Sequence, residues 1–190
     1  MNKGLLIILS GPSGVGKGTV VKELMKDKTL NLSYSISMTT RAPRNGEVDG
    51  REYFFISKEG FEKKIEQGEL LEFAEFVNNY YGTPKAYVEQ MLDSGHNILL
   101  EIETKGAQQV MEKMKGNNVI SIFLLPPSLY DLELRIRNRR TESDEVIKER
   151  LDKANKELQL KSLYDYNVIN DVPLLAAKKI ADIIRNHLIK

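Results

Sequence analysis

The 190-residue chain has no cysteine and no tryptophan, and its charges nearly cancel, 28 basic against 27 acidic residues for a formal net charge of +1. Without cysteine there can be no disulfide, no thiolate metal site and no thiol nucleophile, and a reducing compartment suits such a chain. Near-neutrality argues against a nucleic-acid binder that gains affinity by neutralising many phosphates. Any basic chemistry must therefore be local. Long apolar runs are also missing: Leu5–Leu9 is far shorter than a signal-peptide core or a membrane span. The expectation is a soluble, cytoplasmic protein that engages no membrane. Histidine is scarce, and His96 and His187 have no partner spacing for a metal or a catalytic triad. What the chain does have is apolar material, 41% of residues, enough to bury a core in one domain.

Three apolar runs, Leu5–Leu9, Asn97–Ile102 and Val119–Leu125, are short, bounded by turn residues and too uniformly apolar for half-exposed strands. They read as buried parallel strands. Helical periodicity covers Gly16–Lys26, Pro84–Ser94, Thr104–Lys115, Ser128–Arg139, Ser143–Lys161 and Pro173–Leu188, several opening on Ser, Thr or Pro. Strands alternating with helices predict an α/β fold on a parallel sheet. From about Ser33 to Thr83 that rhythm breaks into clustered turn residues and short aromatic-rich strands such as Glu52–Ile56 and Leu70–Val77, which predicts an inserted, mainly β subdomain. A further irregular patch, Arg137–Asp144, is dense in arginine and has the character of a lid.

The strongest local signal is Gly11-Pro12-Ser13-Gly14-Val15-Gly16-Lys17-Gly18-Thr19, directly after the first apolar run and opening the first helix. Glycines allow a tight turn whose N–H groups converge on phosphate oxygens, the helix start adds its positive end, and Lys17 supplies a cation for the β and γ phosphates. A purine nucleoside triphosphate is the expected ligand. Gly18 stands where the motif usually has a hydroxyl, so magnesium is expected to be held there largely through water. Transporters, GTPases and small-molecule kinases all use such a loop, so the acceptor stays open at this point.

Further along stand Ser35-Ile36-Ser37-Met38-Thr39-Thr40-Arg41-Ala42-Pro43-Arg44, Gly46-Glu47-Val48-Asp49-Gly50-Arg51-Glu52-Tyr53, Glu72-Phe73-Ala74-Glu75-Phe76 and Asn79-Tyr80-Tyr81-Gly82-Thr83. Together with the glycine loop, these segments resemble the guanylate kinase family over nearly the whole chain. The resemblance implies a P-loop nucleoside monophosphate kinase fold with a parallel five-stranded core sheet flanked by helices (1–32, 84–136 and 151–190). It also implies a mixed α/β GMP-binding subdomain at about 33–83 and a helical lid at about 137–150. The implied reaction is Mg2+-dependent transfer of a phosphoryl group from ATP to GMP, and to dGMP, in purine nucleotide metabolism. By the same resemblance Ser37, Arg41, Arg44, Tyr53, Glu72, Tyr81 and Thr83 form the GMP site. Residue chemistry agrees: two guanidinium forks three residues apart suit a phosphate dianion. One carboxylate can accept both N1–H and N2–H of guanine, whereas adenine would turn an acceptor toward it.

Glu101 and Glu103 end a buried run two residues apart, on one face of the strand. Resemblance assigns Glu101 to the metal, directly or through water, and Glu103 to the neighbourhood of guanine, although the family more often has aspartates there and an uncharged residue at Lys105. Arg135, Arg139 and Arg150 match lid and core arginines that in the family converge on the transferring phosphoryl group, with Arg140 where glycine is usual. Asn170 resembles the residue beside the donor adenine. Two other readings stay open: a kinase of the same fold acting on another phosphorylated small molecule, and a scaffold that has lost transfer. Oligomeric state is open too, a single chain or a homo-oligomer.

Overall fold

The structure is a computed structural model that describes residues 3–116, 118–138 and 143–188. The first apolar run becomes β1 (Leu6–Ser10), buried at every position and central in a five-stranded sheet. It lies between β7 (Asn97–Glu101) and β8 (Val119–Leu125), with the short strands β2 (Leu32–Tyr34) and β9 (Tyr166–Ile169) at the edges. All four pairings are parallel. Leu5, Ile7 and Leu9 pack against α1 (Lys17–Leu24) and α7 (Pro173–Leu188) through Val20, Leu24, Ala177 and Ile180. Leu6 and Ile8 face α3 (Lys85–Asp93) and α4 (Thr104–Lys113) through Val88, Leu92, Ala107 and Val110. With helices on both faces, the central strands β1, β7 and β8 leave no exposed position, which is why these runs do not alternate.

Parallel strands bring all their carboxyl ends to one edge. Gly11 follows β1 there, Glu101 to Glu103 end β7, and Asn170 follows β9. In open α/β sheets ligands bind at this edge, where the chain switches from one side of its first strand to the other.

A second sheet runs β4 (Tyr53–Phe55), β3 (Ser37–Thr39), β6 (Asn79–Pro84), β5 (Leu70–Phe76). The β3 and β4 strands are parallel and the other pairs antiparallel. One face carries its own apolar cluster, Met38, Phe61 and Leu70 with Phe54, Ile56, Phe73 and Tyr80. Phe61 comes from α2 (Lys58–Glu66), is 0% exposed, and stacks on Tyr80 at 5.3 Å. Phe61→Ala is expected to lower unfolding free energy by about 3–5 kcal/mol, the usual cost of emptying a fully buried aromatic site. Urea denaturation followed by tyrosine fluorescence reads it out, and a loss below about 1 kcal/mol would mean the second sheet does not depend on this helix.

Helices α5 (Leu129–Arg137) and α6 (Asp144–Leu158) pack on each other through Leu132, Ile136, Ile147, Leu151 and Ala154. Among the described residues no helix is long and apolar enough to cross a membrane.

Candidate active site

The loop between β1 and α1 has a helix entry made for an anion. Gly16, the residue before the helix, has φ +96° and no side chain to cap the first turn; the Thr19 N–H turns to the Gly16 carbonyl at 3.2 Å, while the Lys17 and Gly18 N–H groups meet no acceptor from the cap. A Cβ there would lie 2.7 Å from Nδ2 of Asn170, which donates to the Val15 carbonyl at 2.8 Å. Glycine is thus required both by the backbone and by the close approach of Asn170. Lys17 folds back over the loop, donating to the carbonyls of Gly11 at 2.6 Å and Pro12 at 3.3 Å. Burial lowers its pKa, opposed by the nearby carboxylates Glu101, Glu157 and Glu103.

A cavity of about 290 Å³ opens at this loop, lined by Gly11, Ser13, Gly14, Gly16, Lys17 and Gly18 together with those three carboxylates. Glu101 faces the glycine that replaces the usual hydroxyl: a Cβ on Gly18 would come within 3.7 Å of its Oε1. Burial raises the Glu101 pKa, while Lys17 and the Tyr34 hydroxyl, 3.4 Å from Oε2, pull it back. A hard carboxylate oxygen on phosphate oxygens and water suits magnesium. Glu101 therefore fits the ion as one ligand among substrate and solvent oxygens.

A second cavity of about 320 Å³ lies beside the loop, lined by Gly14, Gly16, Thr19, Arg135, Asn138, Asn170, Asp171 and Pro173. Arg135 belongs here. Its guanidinium donates to the carbonyls of Val15 at 3.1 Å and Asn170 at 2.8 Å, so it braces the loop from the side of the Asn170 segment instead of joining Lys17 in the first cavity. Arg150, on α6, donates to Oγ of Ser13, a residue that lines the first cavity, at 3.3 Å. Arg139, expected alongside them, lies outside the described residues.

On the second sheet, register decides what faces what. Directly paired residues share a face, and the pairs Ser37 with Tyr53, Thr39 with Tyr81 and Glu72 with Thr83 put all six on the side opposite the apolar cluster. A bulge between Leu70 and Glu72 makes this possible, since the register shift turns Leu70 into the apolar cluster and Glu72 out of it. Glu72 is 7% exposed; its Oε1 accepts from the Thr83 hydroxyl at 2.7 Å, and burial raises its pKa despite that bond and Lys113 nearby. A Cβ on Gly106, in the first turn of α4, would fall 2.7 Å from Glu72 Oε2, so glycine there leaves room for the carboxylate.

At the far end of the same face Arg41 pairs with Glu47 at 2.9 Å and lies 5.4 Å over the Tyr53 ring, which meets Tyr81 edge-on at 6.0 Å. Arg44 is exposed, its backbone N–H donating to Glu47 at 2.7 Å. The two halves of the site meet through Tyr34, which bonds Glu101 and lies within electrostatic reach of Tyr53. Glu103, three residues before Gly106 at the head of α4, pairs with Lys153 at 3.2 Å at the mouth of the first cavity.

Sequence reasoning missed Glu157, Lys153, Tyr34 and Gly106. Glu157 accepts from the Ser13 N–H at 3.3 Å and the Thr104 hydroxyl at 3.4 Å. The available signal was spacing on α6, where Arg150, Lys153 and Glu157 share one face at i, i+3 and i+7; such a stripe also reads as an ordinary solvated surface.

Comparison with known proteins agrees with this geometry. The family model described as Guanylate kinase matches residues 3–187. A guanylate kinase of Mesoplasma florum is 58% identical over 96% of this chain and 61% of its own length. One from Listeria monocytogenes is 53% identical over 99% of this chain and 91% of its own. The chain thus spans less than two thirds of the Mesoplasma relative. The crystal structure of guanylate kinase from Anaplasma phagocytophilum superposes with a TM-score of 0.75 at 34% identity, covering 100% of this chain and 89% of that one.

Proposed function

The chain belongs to the guanylate kinase family, and from that premise we propose that it transfers the terminal phosphoryl group of ATP to GMP, and to dGMP, giving ADP and GDP in the cytoplasm. The observation that carries the acceptor assignment is Glu72, a buried carboxylate bonded to Thr83 on the sheet face that also bears Arg41, Tyr53 and Tyr81. A lone acidic group in so dry a place calls for a partner with two adjacent donors, which is the edge guanine offers. In this reading the 1–32, 84–136 and 151–190 segments form the core, about 33–83 the acceptor subdomain and about 137–150 the lid.

Phosphoryl transfer needs positioning and charge neutralisation more than covalent chemistry. The amides of Gly14 to Thr19 and the Lys17 ammonium hold the donor phosphates, with Pro12 and Ser13 shaping the loop. Asn170 and Arg135 border the space for the donor base. Arg41 and Arg44, with the phenols of Tyr53 and Tyr81, hold the acceptor phosphate, the dianion displacing Glu47 from Arg41. Glu72, Ser37 and Thr83 read the guanine. Arg150, with Arg139 from the lid, neutralises charge building on the transferring group. Magnesium, held by Glu101 through its carboxylate or bound water, would draw charge from the donor phosphates. Closure of the two halves excludes water, without which ATP would be hydrolysed.

Measuring ADP release with GMP, AMP, CMP and UMP in turn tests the reading. Turnover selective for GMP is the expected result. Preference for another acceptor would indicate a kinase of the same fold with a different substrate, and no turnover with any would indicate a binding scaffold.

A further inference from the structure

The phosphate cavity carries more negative charge than a polyanion site should tolerate. Glu101, Glu103 and Glu157 all line it, against Lys17. Glu103 is 70% exposed and can swing into solvent, but Glu157 cannot. Its side chain is 9% exposed and is gripped from two sides, by the Ser13 N–H of the loop and by the hydroxyl of Thr104 at the head of α4. The carboxylate therefore braces the loop, and it stays next to any phosphate the loop binds. Charged groups around it are Lys17, which feels its field, Arg150, which reaches Ser13, and Lys153.

Lys153 is placed to cancel it. One turn before Glu157 on α6, its ammonium lies 3.8 Å from Glu157 Oε1 and 3.2 Å from Glu103 Oε2, and it is near enough to Lys17 to depress that group's basicity. We propose that Lys153 is a positioning residue for the donor: it neutralises the buried Glu157 carboxylate so that Glu157 can hold the phosphate loop in shape while a polyphosphate binds beside it. The inference rests on the reading of this cavity as the donor phosphate site.

ADP binding measured by titration calorimetry without added metal separates the two ideas. Lys153→Met is expected to weaken ADP by about tenfold, the scale for one unit charge a few ångströms from bound phosphate at a half-exposed site. Glu157→Gln keeps an oxygen for the Ser13 N–H and removes the charge, so it should bind ADP more tightly than the parent chain. In the Lys153→Met background the same change should recover more affinity than it adds alone, since there it removes an uncompensated carboxylate. Lys153→Arg should bind like the parent. Undiminished ADP affinity in Lys153→Met would overturn the inference, as would Glu157→Gln weakening ADP in both backgrounds, the mark of a brace with no electrostatic role. If the parent chain itself did not bind ADP, or bound it equally well after Lys17→Met, the donor-site reading would fall and this inference with it.

Discussion

Lys17→Met is expected to lower kcat/KM for GMP phosphorylation by about a thousandfold, the upper range for removing one preorganised charge aimed at a transition state. The loss should come without a loss of fold. The ammonium donates to the carbonyls of Gly11 and Pro12, and burial penalises its charge enough to lower its pKa. A lysine whose folded pKa lies below its unfolded value binds its proton less tightly when folded, so stability rises with pH between those two values and the charged form is a net cost below them. Methionine is therefore expected to melt at the same temperature as lysine at neutral pH, or higher. Loop shape is kept by Gly16, Asn170 and Arg135, none of which the substitution touches. Steady-state kinetics with a thermal melt decides the matter: a loss below about tenfold, or a collapse of melting in step with activity, would deny Lys17 a direct role.

That loop was legible in the sequence because its chemistry is local: spacing of glycines and lysine after an apolar run states the geometry by itself. The three central strands were legible for a related reason, burial on both faces having left Leu5–Leu9, Asn97–Ile102 and Val119–Leu125 mostly apolar, with the buried Asn97 and Ser121 among the few polar positions. Edge strands gave no such sign. β2 has three residues and β9 four, mostly half-buried or exposed, and their place in the sheet comes from pairing with partners dozens of residues away. The α2 helix hid because only Phe61 and Ile65 of its nine residues are apolar, although Ser57, which accepts from the Gly60 N–H, marks its start.

Side-chain direction was the least legible property. Nothing in the order Leu70-Leu71-Glu72 announces the bulge that sends Glu72 to the polar face, and period-two reasoning would have put it beside Leu70. Arg135 reads as one more basic residue of an arginine-rich helix end, yet carbonyls from two distant segments, at Val15 and at Asn170 and Asp171, select its position. Family resemblance named these residues without giving their orientation. For Glu103 it gave no hint of the pairing with Lys153.

Glu72→Gln is the substitution expected to separate acceptor from donor most cleanly, cutting kcat/KM for GMP by about a thousandfold or more while ADP affinity stays within about twofold. Size and one oxygen are kept, so the Thr83 hydroxyl retains an acceptor. What changes is the second oxygen, beside Gly106, which becomes an N–H2 group facing the N–H groups of guanine, donor against donor in a site with little water. The same burial gives a pH test. Glu72 has its pKa raised by desolvation, so the folded chain holds that proton more tightly than the unfolded one. Unfolding free energy contributed by this group then falls as pH rises from the ordinary glutamate value to the raised one, and the glutamine variant should be at least as stable as the parent at neutral pH. Guanine recognition runs the other way, because only the ionised carboxylate accepts two hydrogen bonds. GMP affinity of the parent should weaken on acidification with a midpoint above the ordinary glutamate value, whereas the weak residual affinity of the variant should show no such step. Equal GMP kinetics in the two chains, or a parent whose GMP affinity ignores pH across that window, would remove Glu72 from the guanine site and leave its burial beside α4 a matter of packing alone.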